Sequence, residues 1–169
     1  MRTRILIIVL ITILVGCNRT KKSTKKASDS DLLEFKLNDS MIDSNGFLKI
    51  SEINVRELLS ALVLENGQKA DLNIITTIGQ TKTGWLDRKD LEFLVSKIES
   101  KQKAKCINRV ISSFLPDSKN MTIGNQAISI LETFRNNQPY PNELYVCETY
   151  GQKKIVEIKK WWNEYKNGS

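Results

Sequence analysis

The stretch Ala70-Asp71-Leu72-Asn73-Ile74-Ile75-Thr76-Thr77-Ile78-Gly79 decides how the middle of this 169-residue chain folds. Leu72, Ile75 and Ile78 recur every third residue, the spacing that lines one face of an amphipathic helix. On that reading 70–79 is the second arm of a helical hairpin, and its neighbours continue the pattern. Upstream, Val55, Leu58, Leu59 and Leu62 share a face over 55–64, and Asn54 followed three residues later by Glu57 is the signature of a capping box. Downstream, Leu91, Leu94, Val95 and Ile98 predict a helix over 88–99 with Asp87 as its N-cap. Ile107, Val110, Ile111 and Phe114 predict another over 103–115, ended by Pro116. Ile123, Ala127, Ile130, Leu131 and Phe134 predict a fifth over 122–136, and Ile155, Ile158, Trp162 and Tyr165 a sixth near the C-terminus. Leu144 to Thr149 alternates as a short strand or an extended loop does. The fold class so read is mainly α.

A weak echo runs through these helices. Gly46-Phe47-Leu48 and Gly84-Trp85-Leu86 share a glycine, aromatic, leucine pattern, each ahead of a predicted helix pair. Their separation lies near the roughly 40-residue period of helical-hairpin repeats. Residues 46–136 thus resemble a degenerate HEAT-type array, and an irregular helical bundle is the other arrangement the pattern allows.

The N-terminus carries a different kind of signal. Behind Arg2 and Arg4, Ile5 to Val15 is apolar except for Thr12, the length of a signal-peptide core and short of the roughly 20 residues that span a bilayer. It ends in Leu14-Val15-Gly16-Cys17, which resembles the lipobox of bacterial lipoproteins. The resemblance implies that residues 1–16 are removed as a signal peptide and that Cys17 becomes an acylated N-terminus. Two or three acyl chains hold a protein on a membrane firmly where one does not. Asn18, where an Asp is the family's inner-membrane retention signal, points to the outer membrane, with the domain facing the periplasm.

The formal net charge of +7 is unevenly spread. Residues 17–30 hold Arg19, Lys21, Lys22, Lys25 and Lys26 against Asp29, whereas from Asp31 onward 19 basic side chains meet 18 acidic ones. The organisation expected is therefore a basic tether over 17–30 and a single domain over 31–169. Each tether cation near an anionic envelope surface adds about 1 kcal/mol of attraction. A solvated spacer is the plainer reading of the same residues. A nearly neutral domain at this address argues against nucleic acid as partner.

Candidate chemistry is sparse. The chain has no histidine, which removes the usual base of Ser and Cys hydrolases and the commonest zinc ligand. Glu143 and Glu148 are close in sequence but read as surface charge. Asp43 to Glu52 partly resembles an EF-hand loop, yet Met41 or Phe47 falls on a ligand position in either register, so the segment reads as a polar turn entering a helix. No metal and no cofactor is expected. Once Cys17 is lipidated, Cys106 and Cys147 remain, an even number that in an oxidising compartment suggests a disulfide; two separately buried thiols are the alternative. Trp161, off the apolar stripe of its helix, and Trp85 are candidate partner contacts, since aromatics are enriched at interface hot spots.

The expectation that follows is a non-catalytic, membrane-anchored module that binds a protein or scaffolds the envelope. An immunity protein neutralising a secreted toxin in the periplasm is the alternative, and a hydrolase the weakest third.

Overall fold

Ile74-Ile75-Thr76-Thr77-Ile78 is a strand. The computed structural model describes residues 39–65, 73–114 and 117–168, and the lipobox, the tether and residues 31–38 lie outside them. Within it, β1 (Leu48–Lys49), β2 (Ile74–Ile78), β3 (Cys106–Arg109) and β4 (Tyr145–Val146) form one mixed sheet in the order β1-β2-β3-β4. The first three are parallel and β4 runs antiparallel to β3. Parallel neighbours need a crossover, and helices supply it. Helix α1 (Val55–Leu62) joins β1 to β2, and α2 (Arg88–Lys97) joins β2 to β3. Helix α3 (Ile123–Arg135) leads from β3 towards β4, and α4 (Gln152–Gly168) follows β4.

Mainly α, in repeats or in a bundle, was therefore the wrong class; the chain is an α/β protein. The error sits in the two segments expected to be the second arms of hairpins. Every residue from Ile74 to Ile78 is β-branched, stiff at χ1 and suited to a pleated sheet. A run of five residues is also too short to separate a strand from a helical period. In the 103–115 segment, Ile107 is buried in β3, but the strand ends at Arg109 and Val110, Ile111 and Phe114 emerge exposed instead of sharing a helix face with it. The glycine-aromatic-leucine echo dissolves as well. Leu48 lies in a strand, whereas Leu86 lies in the turn that leads to α2.

The helix starts follow local chemistry. Asn54 Oδ1 accepts from the amides of Arg56 and Glu57, both at 3.0 Å, while Glu57 Oε2 accepts from Asn54 N at 3.0 Å, a reciprocal cap on α1. Asp87 and Asp90 cap α2 in the same way at 2.8 and 3.2 Å. Thr122 Oγ1 accepts from Asn125 N at 3.2 Å to open α3.

Strand register sorts the side chains into two faces. Leu48 pairs with Thr77, Ile75 with Ile107 and Ile107 with Val146, so these five share one face and join the helices in a single core. Helix α3 is its centre, with ten of its thirteen residues buried. Gly124 lets α3 pass against the end of α2, because a Cβ there would lie 2.7 Å from Ser100 O and 2.8 Å from Ile98 O. The opposite face carries Lys49, Ile78, Thr76, Asn108 and Tyr145.

Between α3 and β4 the chain is fastened by Tyr140, which is fully buried. Its hydroxyl donates to Gln126 Oε1 at 3.0 Å, and Gln126 Nε2 donates to Lys105 O at 2.7 Å. Its backbone exchanges bonds with Thr81, N to Oγ1 at 2.9 Å and O from Thr81 N at 2.7 Å. One residue, through its side chain and its backbone, thus ties together α3, the entry to β3 and the turn after β2, and the Tyr140–Pro141 bond is cis. Asp43 closes the turn before β1, its Oδ1 accepting from Asn45 N at 2.9 Å and Phe47 N at 2.7 Å, and Gly46 supplies the positive φ of +82° that the turn requires. The Phe47 amide, ahead of the other groups around it, holds the Asp43 carboxyl below its ordinary pKa. This turn enters a strand and not the expected helix.

Candidate functional site

Two features meet at the β3–β4 end of the sheet. The first is an apolar patch. Val110 N donates to Thr77 O at 3.0 Å, setting Val110 beside the end of β2, where Ile78 is exposed. Arg109 N donates to Leu144 O at 2.9 Å, which brings Leu144 and Tyr145 alongside. The Phe114 ring lies 5.0 Å from that of Tyr145. Ile78, Val110, Ile111, Phe114, Leu144 and Tyr145 are all exposed along this edge of the sheet, Ile111 at 66% and Phe114 at 55%, and the Phe114 and Tyr145 rings are in contact. Isolated exposed apolar residues are ordinary, but contiguous ones mark contact surfaces.

The second feature is a polar cleft of about 300 Å³ between α3, the connection through β4 and the start of α4. Tyr145 lines it as well as the patch, so the two are continuous. At the α3–α4 junction, Glu132 contacts Arg135 and lies 3.1 Å from Lys154 Nζ, while Glu157 takes Arg135 at 2.8 Å and Lys154 at 3.1 Å. Arg135, then Lys154, hold the Glu157 carboxyl below its ordinary pKa. Across the cleft, the Tyr150 hydroxyl donates to Glu148 Oε2 at 2.7 Å, with Ser129 Oγ at 3.4 Å. Tyr150 N donates to Asn125 Oδ1 at 3.0 Å, fixing the backbone of this wall to α3. Burial is the largest cause of the rise of the Tyr150 hydroxyl to about 12; the Ser129 contact opposes it and Glu148 adds to it.

Cys106 and Cys147 link β3 to the end of β4, with their sulfurs at bonding distance and their Cα atoms 5.0 Å apart. The pair joins the first residue of β3 to the residue after β4, two strands and not a helix and a strand. Neither tryptophan proposed as a partner contact lines the cleft. Trp161 is half-buried in an aromatic cluster with Phe134, Trp162 and Tyr165, and the Arg135 guanidinium stands 5.5 Å from its ring centre. Trp85, also half-buried, borders a separate hollow beside Ile50 and Ile53. Cys17 lies outside the described residues. Glu143 and Glu148, read from the sequence as surface charge, both line the cleft. The patch residues were missed because a helical reading spent Val110, Ile111 and Phe114 on a core.

Among the described residues, no group of three or more His, Cys, Asp or Glu side chains is placed to hold a metal ion, and no helix is long and apolar enough to cross a membrane. Compared with known proteins, the chain matches no family model, no curated protein and no solved structure.

Proposed function

We propose that this is a lipid-anchored, non-catalytic envelope module that holds a partner protein against the β3–β4 end of its sheet. The observation that carries the reading is the exposed Phe114–Tyr145 ring pair, with further exposed apolar side chains nearby in sequence and ladder at the end of β2 and in the turn after β3. Apolar groups so gathered gain by losing water to a partner, at about 25 cal/mol per Å² buried. Aromatic anchors ringed by polar groups are the usual centre of such contacts.

The address rests on the lipobox residues Leu14 to Cys17, and the Cys106–Cys147 pair suits an oxidising compartment. The basic tether from Arg19 to Lys26 would keep the domain near an anionic envelope surface. The partner is then a protein of the envelope or one that enters it; an immunity role differs only in making that partner a secreted toxin.

A photoreactive amino acid placed at Ile111 or Phe114 of the full-length protein in living cells tests this, with Glu164 on the exposed side of α4 as control. Discrete crosslinked species from the patch positions alone are expected. Equal crosslinking from all three, or none from the patch, contradicts the reading.

A further inference from the structure

The cleft next to the patch has a charge imbalance that specifies what can enter it. At the α3–α4 junction, two carboxylates and two cations neutralise one another, since Glu132 and Glu157 share Arg135 and Lys154. Lys154 lines the cleft but is committed to both glutamates at 3.1 Å. Glu143 and Glu148, on the other side, have no ion-pair partner among the described residues. The lining is therefore anionic where it meets solvent.

Glu148 is also held in place. The Tyr150 hydroxyl donates to it at 2.7 Å, and the Tyr150 amide is anchored on Asn125 at 3.0 Å. A carboxylate already oriented loses little freedom when a cation reaches it. Tyr145, 42% exposed, forms an aromatic wall on the way in, and ring faces attract cations. The same ring belongs to the apolar patch. The volume of about 300 Å³ lies at the small end of ligand clefts, suited to one long side chain.

We infer that the cleft receives a single arginine or lysine side chain of the partner protein, flanked in the partner's sequence by large apolar residues that cover Phe114 and Tyr145. The inference rests on the binding-module reading and names the partner's chemistry. The cation enters past Tyr145 and meets Glu143 and Glu148, while its apolar neighbours lie over the patch. An anionic ligand is disfavoured because Lys154, the cation lining the cleft, is already paired twice. Both glutamates are exposed, so an empty cleft keeps them hydrated and the protein stable without its partner.

The test uses full-length protein in detergent and two probes, acetyl-Phe-Arg-Phe-amide and its citrulline counterpart, which keeps nearly the same shape but lacks the charge and carries a carbonyl acceptor in place of one NH2 donor. Binding is followed by amide chemical shifts of residues 143–150. The arginine peptide is expected to bind about tenfold more tightly than the citrulline peptide. That preference should vanish in the Glu143→Gln, Glu148→Gln double variant, whose melting temperature should match the parent. Equal binding of the two peptides, no shifts up to millimolar arginine peptide, or a preference that survives the double variant would each overturn the inference. Crosslinking at Ile111 that persists alongside such a failure would leave the binding-module reading standing; loss of both would end it.

Discussion

Cys106 and Cys147 stand opposite each other one step beyond the Ile107–Val146 pair of the β3–β4 ladder, their Cα atoms 5.0 Å apart. The alternation of a ladder puts them on the face that also carries Tyr145, so the bridge clamps the short strand from which patch and cleft are both built. Its two ends are 41 residues apart in sequence. Constraining the unfolded chain over that span stabilises the fold by about 4 kcal/mol. The Cys106→Ala, Cys147→Ala double variant should shift the urea midpoint down accordingly, and reductant should do the same to the parent. A parent indifferent to reductant would show that the sulfurs are not joined.

Gly124 is the point where α3 touches the end of α2 through backbone alone. A methyl group there would lie 2.7 Å from Ser100 O and 2.8 Å from Ile98 O, neither of which can swing away. Gly124→Ala should cost about 1 to 3 kcal/mol of stability by overpacking. Gly168→Ala, which meets nothing within 4 Å, should stay within about 0.5 kcal/mol of the parent. Thermal melts of the two variants compare them directly, and equal melting temperatures would refute the close approach.

Removing the Tyr140 hydroxyl strands Gln126 Oε1 in the interior, since Tyr140 donates to it at 3.0 Å and both residues are fully buried. Tyr140→Phe should therefore lose about 1 to 3 kcal/mol while keeping the ring's packing. The Gln126 side chain should report the change through faster exchange of its amide protons. Unchanged stability would mean that water replaces the lost bond.

Alkaline pH should weaken the fold through Tyr150. Its folded-state pKa is raised to about 12, so the neutral hydroxyl is favoured in the native state. The unfolded chain gives up the proton near the ordinary value of about 10, and between those two values the native state holds more protons. The contribution of Tyr150 is thus complete below pH about 10 and is lost as pH rises through about 12. Tyr150→Phe should flatten the decline of the melting temperature over that range. An identical decline in the variant would assign it to other groups.

What the residues disclosed by themselves followed physical rules of unequal reach. Helices α1, α2, α3 and α4 were legible because each presents at least two turns of apolar periodicity, and Asn54, Asp87 and the residues after them announce where the first two begin. Local hydrogen bonding sets those starts, and local sequence records it. The strands are two to five residues long, below the length at which a period of two and a period of 3.6 diverge. Parallel pairing is a non-local event, and nothing in Ile74 to Ile78 names Cys106 to Arg109 as its neighbour. The β-branched run was the usable clue, and weighing it above the spacing of Leu72, Ile75 and Ile78 would have indicated a βαβ unit.

The candidate site was less legible for the same reason. Glu143 and Glu148 drew attention only as neighbours in sequence, while their significance comes from Glu132 and Lys154 arriving on two helices. Trp161 stood out as an aromatic off its stripe, yet α4 turns it towards Phe134 and Arg135. The two cysteines were the exception, because parity and compartment suggested a pairing without any knowledge of the fold.

Mass spectrometry of the N-terminal tryptic peptide from membranes tests the proposed lipid anchor at Cys17. An anchored protein yields a peptide that begins at Cys17, ends at Arg19 and carries the mass of a diacylglyceryl group. A peptide in which Gly16 is still joined to an unmodified Cys17 would contradict it.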